Sequence, residues 1–273
     1  MSSTTSRFAE LQAPAHWQVV DFISDLHLQS TEPATAQAWR DYLAGTPAQA
    51  VFLLGDIFEV WVGDDGPEGD DEDAAFERQC LAHLKRTSER CALFVMHGNR
   101  DFLFGSAAAQ RAGCTLLDDP TVLVWGQERW LLSHGDALCL DDQAYQAFRA
   151  QVRAPAWQEK FLSQPLVARR QFARGVRAQS EAHKRTEPGY SDVDAAMVQT
   201  WLQQSQAHTL IHGHTHQPAD HTLAQGAMRR VLSDWDCDAT PPRAEVLRLS
   251  FAPALGSNAR ATVQRLPLTE AVR

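Results

Sequence analysis

The stretch Val51-Phe52-Leu53-Leu54-Gly55-Asp56 decides the fold. Four bulky apolar residues that stop at Gly-Asp read as a short buried strand with a carboxylate held at its tip. The same grammar recurs on both sides of it. Gln18 to Ile23 runs into Ser24-Asp25, Ala92 to Met96 into His97-Gly98-Asn99, Trp130 to Leu132 into Ser133-His134, and Thr209 to Ile211 into His212-Gly213-His214. Helical patterns at Ala34 to Leu43, Ala74 to Lys85 and Phe104 to Ala112 alternate with the early strands, which predicts an α/β layered core. From residue 141 the rhythm breaks. Tyr145, Phe148 and Val152 recur at helical spacing, and Trp157, Phe161, Leu166, Val167, Phe172 and Val176 continue an apolar pattern among basic residues. Residues 141–205 therefore read as a largely helical insertion within a core of residues 18–140 and 206–273, behind a flexible leader of residues 1–17. Val231-Leu232, Ala244 to Phe251 and Ala261 to Leu266 alternate as antiparallel strands do.

Composition narrows the class. The 273 residues are 44% hydrophobic and 22% charged, values of a chain that folds without disulfide support. The longest apolar stretch, Ala50 to Val62, is interrupted by Asp56 and Glu59, and Met1 to Trp17 has no apolar core of the signal-peptide kind, so a cytoplasmic protein is expected. Five Cys, an odd number without CxxC spacing, point neither to a disulfide framework nor to a thiolate zinc site. A net charge of −9 argues against nucleic acid as a partner. Residues 149–186 run the other way, with nine basic groups against Glu159 and Glu181. That surplus suits an anionic ligand or surface, and equally a solvated helix face. Between Asp64 and Asp73 lie seven carboxylates among Gly and Pro, read as a mobile, solvated loop.

The chemistry sits at the strand ends. Asp25 and His27 are two residues apart, as are His214 and His216, and on extended segments each pair would face one way and share a cation. With Asp56, Asn99 and His134 beside them, these mixed carboxylate and imidazole donors suit Mn²⁺, Fe²⁺ or Zn²⁺ and are too many for a single ion. No Ser or Cys accompanies the set as an activated nucleophile.

This ordered set, Asp-x-His, Gly-Asp, Gly-Asn-x-Asp, His and Gly-His-x-His, resembles the calcineurin-like metallophosphoesterases. Many of them carry His after the Asn; this chain has Arg100. That departure, with Phe22 to Leu28, Gly55 to Asp65, Gly98 to Leu103, His134 to Arg149 and Ile211 to Pro218, is similar to the members that hydrolyse a lipidated UDP-sugar in lipid A assembly. The resemblance implies a layered β-sandwich flanked by helices, with residues 141–205 as its helical cap insertion. It also implies two Mn²⁺ per chain, other divalent metals serving as well: Asp25, His27 and His216 on the first, Asp56 bridging, and Asn99, His134 and His214 on the second. Asn99 and Arg100 would be catalytic, and Asn99, Arg100, Asp142, Tyr145, Ser180, Lys184 and His214 would contact substrate. Arg100 holding a phosphate competes with Arg100 paired to Asp101 or Asp136. The apolar face from Phe148 to Phe172 would hold acyl chains or be the cap's own core.

The implied reaction splits the lipidated UDP-sugar into UMP and an acylated sugar phosphate. The implied location is peripheral, on the cytoplasmic face of the inner membrane against an anionic surface, with neither nucleic acid nor an obligate protein partner. A broad-specificity metallophosphodiesterase or nucleotide phosphatase is the alternative activity, and a metal-bound scaffold or a nuclease are more distant ones.

Overall fold

The structure, a computed structural model, describes residues 8–186, 192–251 and 260–273, and residues 178–186 by their backbone alone. Among the described residues two six-stranded sheets lie face to face. The first runs β12 (Thr262–Pro267), β11 (Glu245–Ser250), β2 (Val19–Ile23), β3 (Ala50–Leu54), β4 (Ala92–Met96) and β5 (Cys114–Leu117). The second runs β1 (Ala9–Gln12), β6 (Thr121–Trp125), β7 (Glu128–Ser133), β8 (Thr209–His212), β10 (Met228–Val231) and β9 (Ala219–Thr222). Helices α1 (Pro33–Gly45), α2 (Glu72–Ser88) and α3 (Ser106–Ala112) cover the first sheet. The α/β layered expectation holds.

Period-two alternation builds the layers. Phe22, Phe52 and Phe94 stand in register on neighbouring parallel strands, with ring centroids 5.0 and 4.7 Å apart. They fill the space between the sheets against Leu123, Leu132 and Ile211. Each such phenyl contributes roughly 1.5–3 kcal/mol by leaving water. The alternate residues Ile23, Leu53 and Val95 face the helices instead. Because β2, β3 and β4 are parallel, as are β7 and β8, the loops after them emerge on common edges, where α/β proteins carry their sites.

Three expectations need correction. Ala9–Gln12, assigned to a loose leader, is β1, paired in parallel with β6; Phe8 and Trp17 are buried. Backbone pairing and two aromatic anchors outweigh the local polarity that suggested a tail. The cap is also shorter than residues 141–205. It consists of α4 (Gln143–Val152), α5 (Pro155–Leu162) and α6 (Leu166–Thr186), whereas α7 (Ala195–Ser205) packs Val198 and Leu202 on Val122, Leu131 and Leu210 of the second sheet and belongs to the core. A short α8 (Leu268–Ala271) closes the chain.

The acidic stretch 64–73 is the third. Asp64 accepts the backbone N–H of Gly105 and Ala108 at 2.8 and 3.0 Å at the start of α3, and Asp71 caps α2 through the Ala74 N–H at 2.8 Å. Asp65 pairs with Arg169 and Asp71 with Arg170, both on α6. Arg169, 2% exposed, also donates to the Val62 carbonyl at 2.6 Å. The carboxylates are the seat of the cap, and their partners lie about a hundred residues away in sequence, beyond the reach of local composition.

Candidate metal centre

The candidate side chains leave the core at strand ends, five of them under unusual backbone constraint. Asp25, His27, Asp56, His214 and His216 all have left-handed φ, between 46 and 68°. Non-glycine residues in that region are strained, and such strain gathers at sites that need it. This overturns the extended-strand rationale for Asp25/His27 and His214/His216: both pairs sit in irregular loops past the strands, and the left-handed backbone there aims them. Two glycines make room for the approach. A Cβ at Gly98 would run into Asp56 Oδ1, and one at Gly213 into Asp25 Oδ2, which gives a steric reason for the Gly-Asn and Gly-His pairs.

The side chains form two linked groups. In the first, His27 Nε2 and His216 Nε2 face each other at 3.3 Å, and His216 Nε2 lies 3.4 Å from Asp25 Oδ1. In the second, Asn99 Oδ1 lies 3.1 Å from His134 Nε2 and 2.9 Å from His214 Nδ1, with Asp56 Oδ2 3.8 Å from His134 Nε2. The Asp25 carboxylate is near enough to serve both: Asp25, His27 and His216 offer donor atoms within 4.8 Å of one another, and so do Asp25, Asp56 and His134.

These residues fit divalent cations. Ser24 and the His214 N–H hold Asp25 Oδ2 at 2.5 and 2.9 Å, while Oδ1 is buried without a hydrogen-bond partner. His134 Nδ1 meets the Leu54 carbonyl at 2.9 Å; donating there, it turns Nε2 to the cluster as a lone pair facing another acceptor, Asn99 Oδ1. Acceptors turned on one another need a positive charge between them. The protonation balance shows the same need. Burial alone would lower the His134 pKa, but the charges of Asp56, Asp25 and Asp136 push it up to about 9. Burial and the charge of His134 push His214 down to about 3. The pocket draws in a proton where nothing stronger is bound, and a divalent cation would take that place.

Around this centre stand residues that the sequence named without giving them a supporting role. Asp101 accepts the backbone N–H groups of Ile57 and Gly98 at 2.7 and 2.8 Å and so clamps the β3 and β4 end loops together. Asp136, fully buried, takes the Tyr145 hydroxyl at 2.6 Å and Arg149 Nε at 2.8 Å, fixing α4 with the Tyr145 ring stacked 5.9 Å from His214. Arg100 pairs with neither Asp101 nor Asp136: Nη1 lies 3.4 Å from Glu59, and Nε is buried without a hydrogen-bond partner. Asp142 accepts the Tyr145 N–H at 2.9 Å as the cap of α4. The side chains of Ser180 and Lys184 lie outside the described residues. His97 and His212 bond to backbone carbonyls, in keeping with supporting roles.

Residues 19–218 match the family described as calcineurin-like phosphoesterase. The chain belongs to this family and is a hydrolase of it. A protein of Chromobacterium violaceum named UDP-2,3-diacylglucosamine hydrolase is 45% identical over 221 residues, 79% of this chain and 90% of that one. One of the same name from Aromatoleum aromaticum is 46% identical over 225 residues, 80% of this chain and 89% of that one. A solved dimetal phosphatase from Danio rerio is 16% identical with a TM-score of 0.49, covering 85% of this chain and 92% of that one.

Proposed function

We propose that the chain hydrolyses the pyrophosphate of UDP-2,3-diacylglucosamine to UMP and 2,3-diacylglucosamine 1-phosphate, using two Mn²⁺ ions or similar divalent cations. The observation that carries this reading is identity near 45% along nine-tenths of relatives that bear that name. In this reading Asp25, His27 and His216 would hold one ion, Asn99, His134 and His214 the other, and Asp56 would be shared between them. Two such ions would polarise the phosphoryl oxygens and make water acidic enough to react near neutral pH. The chain's own contribution is placement. Arg100 offers a permanent cation to the phosphate, and Asn99 ligates through a neutral oxygen that does not repel it. Tyr145 sits over His214 at the cap side, and Asp142, Ser180 and Lys184 complete the implied contacts to the head group.

With the acyl chains on the side of residues 145–176, the uridine leaves past Asn99 and Arg100 and water attacks the phosphorus nearer uridine. Turnover in ¹⁸O-labelled water is expected to put the label in UMP. Label in the sugar phosphate would reverse the register. Turnover of acylated against deacylated UDP-glucosamine tests the function itself, and equal rates would favour a broader phosphodiesterase. One feature speaks for that second reading: the rings of Trp157, Phe161 and Phe172 pack on one another with centroids 4.8 to 6.0 Å apart, which uses part of the apolar face inside the cap.

Membrane contact belongs to the same proposal. No described helix is long and apolar enough to cross a bilayer, and a two-chain lipid stays in one. Five of the cap's nine basic groups, Arg149, Arg153, Arg169, Arg170 and Arg177, face carboxylates within the protein, so the surface charge is smaller than composition suggests. Lys160 and Arg174 remain exposed beside Leu162, Val167 and Phe172, which are 41%, 66% and 44% exposed. Sedimentation with anionic vesicles is expected to weaken with salt without vanishing, because the apolar side chains are unscreened. No binding to anionic vesicles at low salt would count against it.

A further inference from the structure

Glu59 is a buried carboxylate outside the set of candidate cation ligands. It lies in the loop after β3, and its side chain is 8% exposed. An imidazole and two guanidinium groups from three separate segments meet it. Oε2 is 2.9 Å from His27 Nδ1, though off the ideal line of the N–H bond; Oε1 is 3.4 Å from Arg100 Nη1 and 3.2 Å from Arg177 Nε on α6. Seating the cap does not require this carboxylate, since Asp65 and Asp71 already bind Arg169 and Arg170. What Glu59 alone touches is the far side of the His27 ring, whose Nε2 faces His216 at 3.3 Å.

We infer that Glu59 is a positioning residue: it holds the His27 imidazole with Nε2 turned to the Asp25 and His216 donors, and ties that ring to Arg100 and to the cap through Arg177. This rests on the reading of Asp25, His27 and His216 as cation ligands. An imidazole that ligates through one nitrogen is aimed by whatever engages the other, and a carboxylate on that second nitrogen fixes ring and tautomer and raises the basicity of the first. His134 is served by the Leu54 carbonyl in this way. Glu59 is the counterpart for His27, with one difference: its second oxygen also meets Arg177 of α6, so the aim of the ligand is tied to a cap that Asp65 and Asp71 already seat.

The test is Mn²⁺ binding by equilibrium dialysis with metal analysis, on the full chain and without substrate. Glu59→Ala is expected to weaken one Mn²⁺ equivalent by about 10- to 100-fold and leave the other unchanged. Glu59→Gln keeps the shape and one acceptor, so a smaller loss of roughly threefold or more is expected; it decides the matter if the alanine variant does not fold. Asp65→Asn loosens the cap at Arg169 without touching the centre, and should bind both ions as the wild type does. Wild-type affinity in the Glu59 variants overturns the inference, as does an equal loss in Asp65→Asn, because cap seating would then suffice. A wild type that binds no Mn²⁺ would instead sink the functional reading beneath it.

Discussion

Replacing Asp56 with alanine is expected to strip the centre of metal and lower turnover by at least ~10³-fold, about 4 kcal/mol of transition-state stabilisation. Asp56 stands at the tip of β3 at φ 52°, with Oδ1 accepting the Arg100 N–H at 2.8 Å and Oδ2 turned to His134. It thus stands among the candidate metal donors and anchors the loop that presents Asn99 and Arg100. In the proposed two-metal reading its loss would remove the donor that both ions share and leave the Arg100 N–H without its acceptor. His216→Ala, which removes one donor from one group, should weaken one ion and spare the other. Metal analysis after dialysis checks both, and a wild type saturating at a single ion per chain would exclude a two-metal centre. Misfolding is separable from site loss. Burial and the charges of Asp101 and Asp25 hold the Asp56 carboxyl above its usual pKa, so the metal-free chain gains little from it. Melting of the metal-free variant is therefore expected to stay close to wild type while its metal-dependent stabilisation disappears.

The fold was legible because its signal is local. Val51 to Leu54 and Ala92 to Met96 announce strands by unbroken bulk and end at Gly, and the observed β3 and β4 match them to within one residue. The gathering of Asp25, Asp56, Asn99, His134, His214 and His216 followed from parallel strands sharing an edge. What failed was whatever depended on a distant partner. Ala9–Gln12 looks like tail until β6 is there to pair with it. The acidic run at 64–73 looks solvated until Arg169 and Arg170 arrive from the cap. Glu59, in the middle of an apolar run, carries no sign in its neighbours that His27, Arg100 and Arg177 will converge on it. The loop geometry of Asp25 and His27 was missed for a related reason: strained φ is imposed by packing and has no composition of its own.

Arg100→Lys is the second large effect expected, a fall in kcat of roughly 10- to 100-fold with metal content unchanged. The guanidinium is held at one end only. Its Nη1 lies near Glu59 at 3.4 Å, while Nε is buried with no hydrogen-bond partner, so donors remain for an anion at the centre. A salt bridge that served the fold alone would be expected to use those donors internally, as Arg169 does with Asp65 and two backbone carbonyls. Lysine keeps the charge and reaches Glu59, but its point charge cannot bind Glu59 and a phosphoryl oxygen in one plane. The loss should therefore fall on kcat more than on substrate capture, since the contact matters most as charge develops on the leaving phosphate. Steady-state kinetics beside metal analysis separates the cases. Near-normal kcat in Arg100→Lys would reduce Arg100 to a partner of Glu59, and a parallel loss of metal would show that it acts through His27 instead of on the substrate.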